Sequence, residues 1–194
     1  GYAYYSNENR MLNALSASYS PSFIPGFTIG LNRIFMTYWR PENFSYILRL
    51  FTKEKLNALA SSGNDEDQKF SVFANWNFPK IGFSVYGELG IDDYTSAPHQ
   101  NPFHTAIYTV GVKQFIPLFF GLKSELNLEF NNFEMSQDFQ LQWPYIGYYG
   151  HGFVNQGYTN KGQIIGAGTG SFGNSQFLQY KIYHKNGEIS LKFH

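Results

Sequence analysis

The sequence predicts an all-β fold, an antiparallel transmembrane β-barrel, and three observations lead to it. Aromatic residues make up 20% of the 194 residues and charged residues only 14%, whereas average soluble domains carry roughly 25% charged residues. The mean hydropathy is nevertheless slightly negative, and no stretch approaches the ~18 consecutive apolar residues of a membrane-spanning helix. Finally, apolar and polar residues alternate along eight segments, as in barrel strands that turn one side to lipid and the other to the lumen.

The charge balance excludes one class of partner. The net charge is zero and no cluster of Lys and Arg stands out in the sequence, although a phosphate-binding surface needs a basic excess. We therefore expect no nucleic acid among the partners.

The alternation is clearest at 122–131, where apolar Leu128 stands between polar Asn127 and Glu129. Ten residues is the length of a strand that crosses a bilayer at a tilt of about 45°. The predicted strands are 11–19, 27–39, 70–78, 83–91, 105–115, 122–131, 177–184 and 189–193.

The connections between these strands are alternately short and long. The short ones are rich in Pro and Gly, which suits tight turns because Pro fixes φ and Gly accepts positive φ. The long ones, 40–67, 92–103 and 132–174, match the extracellular loops of outer-membrane barrels, whose periplasmic turns are short. This polarity leaves both chain ends outside, so we expect 1–194 to be a single segment of a larger barrel, with strands missing at both ends. A further strand at 163–170 would change the number of strands and therefore the side on which the chain ends.

The first long connection carries a helical pattern near 44–61. Apolar residues recur there at helical spacing, and an acidic run follows at 64–67. We expect a short amphipathic helix, which either plugs a mouth of the barrel or packs over its rim.

Polar residues of the predicted strands would line the lumen. Carboxylates, amides and phenols suit polyhydroxyl ligands, because sugars are bound by hydrogen bonds to such groups and by stacking on aromatic rings. A simpler role is a ladder of cross-strand pairs that only fills the interior. The candidate lumen contacts are Arg33, Tyr86, Glu88, Lys123, Glu125, Asn127 and Glu129.

Enzymatic use of the same residues is a weaker interpretation. Glu88 with Glu125 or Glu129 would give a glycosidase its acid and base, but any two lumen carboxylates offer that pairing, so we expect no enzyme. The five histidines show no metal-ligand spacing, and no nucleotide-binding or hydrolase motif is present in the sequence. We therefore expect no metal and no cofactor.

The loop at 143–163 is the most distinctive stretch of the sequence, since it is rich in Tyr and Gly. Exposed aromatic residues on an extracellular loop either form a girdle at the membrane interface or stack on sugar rings. The candidate glycan contacts in this loop are Tyr158, Asn160 and Gln163.

Three stretches resemble the Wzi capsule-assembly family of outer-membrane proteins and occur in the same order. They are 25–33 (PGFTIGLNR), 83–90 (FSVYGELG) and 154–168 (VNQGYTNKGQIIGAG), the last followed by GNSQ at 173–176. The resemblance covers most of the chain, and 154–168 is its most specific part. Family members also have an N-terminal portion that this sequence lacks, which agrees with the expectation that strands are missing.

The resemblance implies a non-catalytic lectin in the outer membrane of a Gram-negative bacterium. Such a barrel attaches capsular polysaccharide to the cell surface, in contact with outer-membrane lipid and with other envelope proteins. Two other interpretations stay open. A passive channel or structural subunit of an envelope complex would use its polar lumen for water and packing only. A soluble β-sandwich lectin would require the apolar strand faces to meet each other.

Overall fold

The computed structural model describes residues 9–39, 66–92, 105–134, 147–151, 154 and 156–194. Within them, eight long strands form one sheet and two short strands form a separate hairpin. In chain order the strands are β1 (Arg10–Tyr19), β2 (Phe27–Tyr38), β3 (Glu66–Phe78), β4 (Phe83–Asp92), β5 (Ala106–Pro117), β6 (Lys123–Asn132), β7 (Thr159–Asn160), β8 (Gln163–Ile164), β9 (Asn174–His184) and β10 (Gly187–Phe193). The main sheet has the order β1-β2-β3-β4-β5-β6-β9-β10 and is antiparallel throughout.

All eight predicted strands are confirmed, and most of their ends lie within two residues of the predicted positions. The largest differences are at β3, which begins at Glu66, and β9, which begins at Asn174. The apolar alternation that marks β3 in the sequence starts only at Phe70. The polar residues before it, Asp67 and Lys69, are buried in the structure, and burial of charged residues is not a property that alternation predicts.

The sheet is open. In the described part of the chain β1 pairs only with β2 and β10 only with β9, so the eight strands do not close into a barrel. Of 163–170, only β8 is extended, and it pairs with β7 outside the main sheet. The eight long strands belong to a single sheet, so the described residues do not form the two facing sheets of a sandwich.

Gly residues at two of the short turns have conformations that other residues rarely adopt. After β3, Pro79–Ile81 form a 3-10 turn that ends at Gly82 with a φ of 65°. Between β1 and β2, Gly26 has a φ of 78°, and a Cβ there would lie 2.1 Å from the backbone oxygen of Asn77. The Asn77 N–H donates to the Gly26 carbonyl at 2.9 Å, so the first turn also holds the end of β3.

The strand register divides the sheet into two faces of opposite character, because successive side chains point to opposite sides of a strand. Asn32 pairs with Ser71 on one side, which we call the polar face, whereas the preceding Leu31 pairs with Val72 on the other, which we call the apolar face. Further residues of the polar face are Ser16, Tyr86, Glu88, Thr109, Asn131, Ser175 and Gln179.

The apolar face is largely exposed. One row of it crosses four strands through Leu31, Val72, Leu89 and Tyr108. Each of these side chains is 37 to 40% exposed. Aromatic rings lie toward both ends of the strands. Near the short turns, the ring centroids of Trp76 and Phe78 are 4.9 Å apart, and nearer the long connections those of Tyr108 and Phe130 are 6.1 Å apart.

The helix predicted near 44–61 lies outside the described residues. Within the described ranges, no helix has the length and apolar character needed to cross a membrane.

Candidate ligand-binding site on the polar face

The connection between β6 and β9 folds back onto the polar face, at the end of the strands away from the short turns. We call its described residues 147–151, 154 and 156–167 the tyrosine loop. Tyr148 and Tyr149 pack against Phe133, with ring centroids 5.9 and 5.7 Å from it, and Tyr158 lies 6.3 Å from Tyr149. The loop and the sheet share one buried cluster, which consists of Met36, Ile107, Phe133, Tyr148, Tyr149, Val154 and Tyr158.

Backbone contacts within the loop fix its tyrosines. The Tyr158 N–H donates to the Tyr149 carbonyl at 2.7 Å, and the preceding Gly157 has a φ of 54°. A Cβ at Gly157 would lie 2.2 Å from the same carbonyl oxygen, so a larger residue would displace the backbone. The Tyr149 hydroxyl accepts the N–H of Ala167 at 2.8 Å, which holds both ends of that side chain.

Arg10 of β1 holds the far side of the loop. Its guanidinium donates to the carbonyl of Thr159 at 2.8 Å and also to the carbonyl of Gly157. The loop leaves the sheet after β6 and reaches β1 in this way, so it extends over the polar face of the strands between them.

A buried ion cluster lies beneath the loop. The ammonium of Lys69 is 2.7 Å from a carboxylate oxygen of Asp67 and 2.5 Å from one of Asp92. The same ammonium lies 5.0 Å from the ring centroid of Tyr148 and 5.7 Å from that of Tyr158. Because both carboxylates and both rings attract a cation, Lys69 ties the tyrosines to β3 and β4.

Burial also sets the protonation of the loop tyrosines. It raises the pKa of Tyr148 and of Tyr149 above the usual value of a phenol, and it raises the pKa of Tyr158 to about 12. Desolvation disfavours the phenolate, and the Lys69 ammonium offsets this only in part. All three hydroxyls therefore stay neutral near pH 7 and can donate hydrogen bonds.

A hydrogen-bonded chain crosses β1 to β4 on the polar face. The Ser16 hydroxyl lies 2.8 Å from the amide oxygen of Asn32, whose amide nitrogen donates to Ser71 at 3.1 Å and to a carboxylate oxygen of Glu88 at 3.3 Å. The Ser71 hydroxyl donates to the same oxygen of Glu88. Glu88 is thus oriented by two donors on neighbouring strands.

A second network links β4 to β9. Tyr86 lies over Gly111, where a Cβ would come within 2.2 Å of the ring, and its hydroxyl donates to Glu129 at 2.6 Å. Asn131 donates to Glu129 at 3.0 Å and to Ser175 at 3.2 Å. Gly111 therefore provides the space that lets Tyr86 span two strands.

A cavity of about 350 Å³ lies between the tyrosine loop and the sheet. Its loop side carries aromatic rings, and its sheet side carries polar groups together with apolar residues such as Ile34 and Ile107. Its lining includes Asn32, Lys69, Ser71, Glu88, Thr109, Phe133, Tyr148, Tyr149 and Tyr158. This volume is at the lower end of the range of small-ligand sites, about 300–1,000 Å³.

Six of the seven predicted lumen contacts lie together on the polar face. They are Tyr86, Glu88, Lys123, Glu125, Asn127 and Glu129. Only Glu88 among them lines the cavity. Glu125 lies further toward the short turns, where it accepts a hydrogen bond from Tyr183 at 3.1 Å and lies 4.0 Å from Lys181.

Arg33 does not lie with the other six residues. The register puts Arg33 opposite Leu15 and Phe70, on the apolar face, where its guanidinium donates to Gln68 at 2.6 Å. The reason is the phase of β2, in which Arg33 follows Leu31 by two residues and so shares its side of the sheet.

The three predicted loop contacts separate in the structure. Tyr158 lines the cavity and is only 5% exposed, so it belongs to the packed side of the loop. Asn160 and Gln163 pair with each other in the β7–β8 hairpin and are exposed. They do not line the cavity described here.

Seven of the lining residues named above were not among the predicted contacts: Asn32, Lys69, Ser71, Thr109, Phe133, Tyr148 and Tyr149. The alternation does carry a signal for three of them, since Asn32 lies between Leu31 and Arg33, and Lys69 and Ser71 flank Phe70. The residues that each of them meets on the neighbouring strands depend on the register, which is fixed only when the strands pair.

The fold and the site define a class of protein in structural terms: an open antiparallel sheet with an exposed apolar face and a loop-covered polar site. Comparison of this chain with known protein families, with curated proteins and with solved structures finds no match. Within the described residues, no group of three or more His, Cys, Asp or Glu side chains is placed to hold a metal ion.

Proposed function

We propose that this chain forms part of the wall of an outer-membrane β-barrel and binds a surface polysaccharide without catalysis. The observation that carries the proposal is the division of one antiparallel sheet into an exposed apolar face and a hydrogen-bonding polar face. The long connections, including the tyrosine loop, lie on the extracellular side.

The dimensions of the sheet support the membrane part of the proposal. Strands β1 to β6 contain between 10 and 13 residues, and tilted strands of about 9–11 residues cross a bilayer. The aromatic rings toward both strand ends correspond to the girdles of membrane barrels. An exposed strand edge is a liability that barrel closure removes, so β1 and β10 are the edges to which further strands would add.

The composition of the polar face supports the polysaccharide part. Sugar rings combine apolar C–H surfaces with hydroxyl groups, and the cavity combines three tyrosines with the amide of Asn32 and the carboxylate of Glu88. Aromatic rings of this kind present an apolar face and a hydrogen-bonding hydroxyl together. The sequence resemblance also implies an outer-membrane lectin, which would bind polysaccharide through such groups.

Catalysis has less support. A glycosidase needs two carboxylates flanking one bond, whereas Glu88, Glu125 and Glu129 are each engaged by their own partners on the polar face.

A second candidate, a passive channel or structural subunit, is favoured by the pairing of polar groups with each other. Glu129 is held by Tyr86 and Asn131, which is what an interior that serves only packing would show. The two candidates differ in whether polysaccharide adheres to the protein.

The membrane proposal is tested by preparing the full chain with and without detergent. We expect a monodisperse protein only in detergent or vesicles, because a large apolar face is otherwise exposed to water. A monodisperse protein in plain buffer would contradict it.

The polysaccharide proposal is tested by retention of capsular polysaccharide on cells that express the chain in its membrane. Glu88→Gln and Tyr158→Ala, both changes of residues that line the cavity, should lower retention at equal expression. Glu188→Gln on exposed β10 is the control, because it also removes one carboxylate but lies outside the cavity. Equal retention by all variants and by cells without the protein would favour the passive barrel.

A further inference from the structure

The cavity beneath the tyrosine loop is a local, partly enclosed pocket on the polar face. Its walls come from β1 to β5, from Phe133 just after β6 and from the loop, and its volume is about 350 Å³. This volume lies at the lower end of the range of small-ligand sites, so it suits a small sugar unit and not a long stretch of polymer.

The charged groups of the cavity differ in how far they are already neutralised. Lys69 is the cation among the described lining residues, and its ammonium lies between the carboxylates of Asp67 and Asp92. A cation held at 2.5 and 2.7 Å by two carboxylates gives little further attraction to an anionic ligand, because its charge is compensated within its own cluster.

Glu88 is the carboxylate among the described lining residues, and it keeps capacity for a ligand. Both of its donors on neighbouring strands, Asn32 and Ser71, bond the same oxygen, Oε1. An ionised carboxylate has about four acceptor positions on its two oxygens, so it can accept further hydrogen bonds from hydroxyl or ammonium groups. It repels another carboxylate.

The loop tyrosines complete the recognition chemistry. Tyr148 and Tyr149 meet edge to face with centroids 5.3 Å apart, at an interplanar angle of 84°, and each is 7% exposed, so a small surface of each ring borders the cavity. These surfaces are held by the packing on Phe133 and by the hydrogen bond of Tyr149 to Ala167. A ring that is fixed before binding loses little conformational freedom when a sugar stacks on it.

We infer that this cavity binds a single uncharged or amine-bearing sugar unit and discriminates against uronic acids. The inference rests on the proposed function for the source of that unit, a surface polysaccharide, but it concerns the charge of the sugar and the place where it binds. Glu88 is the residue that sets the preference.

Three monosaccharides of one hexose frame test the inference: glucose, glucosamine and glucuronate. The full chain in detergent micelles is titrated with each sugar, and binding is followed by saturation-transfer NMR. We expect glucosamine and glucose to bind. Glucuronate should bind at least tenfold more weakly, because its carboxylate is repelled by that of Glu88. Equal or tighter binding of glucuronate overturns the inference.

Glu88→Gln locates the effect, because it removes the charge while keeping the shape of the side chain. The ratio of glucosamine to glucuronate affinity should fall roughly five- to tenfold, since hydrogen bonds to charged groups are stronger than neutral ones by about that factor. Glu188→Gln, an equal change of charge on exposed β10, should leave the ratio unchanged. An unchanged ratio in Glu88→Gln overturns the assignment to this cavity.

The same protein is also assayed for retention of the intact polysaccharide, which separates the two proposals. If the polymer binds and none of the three sugars does, the cavity inference is wrong and the proposed function stands. If neither the polymer nor any sugar binds, both are wrong.

Discussion

Replacement of Leu128 by Arg tests the membrane proposal most directly. Leu128 lies on the apolar face of β6, between Val112 on β5 and Leu178 on β9, and is 44% exposed. It is the middle of the apolar run from Leu126 to Phe130, so a tilted β6 would hold it near the middle of the bilayer.

The expected magnitude depends on what surrounds the exposed face. In a bilayer, an Arg on the lipid-facing side of a barrel near the midplane costs about 2–4 kcal/mol of unfolding free energy. On a face that meets water, substitution of an exposed side chain changes stability by about 0.5 kcal/mol or less. The two environments therefore predict values that differ several-fold.

The assay is equilibrium unfolding in urea of the full chain folded into phospholipid vesicles, followed by tryptophan fluorescence and extrapolated linearly to zero denaturant. Phe119→Arg is the control, because Phe119 lies in the short turn before β6 and is 86% exposed. An interfacial Arg costs about 0–1 kcal/mol. A Leu128→Arg cost no larger than that of Phe119→Arg would refute the assignment of the apolar face to lipid.

Three further predictions concern the polar face and its loop. Gly111→Ala should destabilise the protein by about 1–3 kcal/mol, because its Cβ would meet the ring of Tyr86 at 2.2 Å, whereas Gly87→Ala, with nearest contacts of 3.4 Å or more, should cost much less in the same unfolding assay. Lys69→Met should cost about 3–5 kcal/mol, measured in the same way, because it removes the ammonium held between two buried carboxylates. The pKa of Tyr158 is raised to about 12 from a usual value of about 10, so between these values the unfolded chain binds fewer protons than the folded one. This tyrosine's contribution to stability should be constant below about pH 10 and should be lost progressively as pH rises to about 12, which thermal unfolding of wild type and Tyr158→Phe across that range would show.

Contrary outcomes are equally specific for these three predictions. Equal costs for Gly111→Ala and Gly87→Ala would mean that Tyr86 does not lie over Gly111. A neutral Lys69→Met would mean that the ion cluster is not buried as described. Identical pH profiles of wild type and Tyr158→Phe would mean that the Tyr158 hydroxyl is solvated.

The strands could be predicted from the sequence because each one bears a two-residue alternation that its position in a two-faced sheet requires. Residues such as Leu128 between Asn127 and Glu129 allow only one assignment of faces once a strand is assumed. For Arg33 the residue type and the position in the alternation disagree, and the position decides which face the side chain takes. Leu31, Arg33 and Phe35 follow one another at intervals of two, and that spacing indicates the apolar side.

The candidate site could be predicted only in part, because it depends on contacts between distant parts of the chain. The sequence shows that the loop around Tyr158 is rich in aromatic residues, but not that it folds over Lys69, almost ninety residues earlier. That contact requires the β6–β9 connection to return across several strands to Arg10. No local pattern encodes such a return, since it results from packing of the whole cluster.

The same contacts therefore stabilise the loop and shape the candidate site. Lys69 attracts the rings of Tyr148 and Tyr158 from below, and Arg10 holds the backbone that follows Tyr158. If the cavity binds sugar as inferred, Lys69→Met should weaken sugar binding as well as stability, although Lys69 need not touch the sugar. Arg10→Gln should loosen the loop, and it should lower the affinity without changing the preference between glucosamine and glucuronate, because Glu88 on β4 keeps its own partners. Loss of affinity and loss of selectivity are thus assigned to different residues of one site.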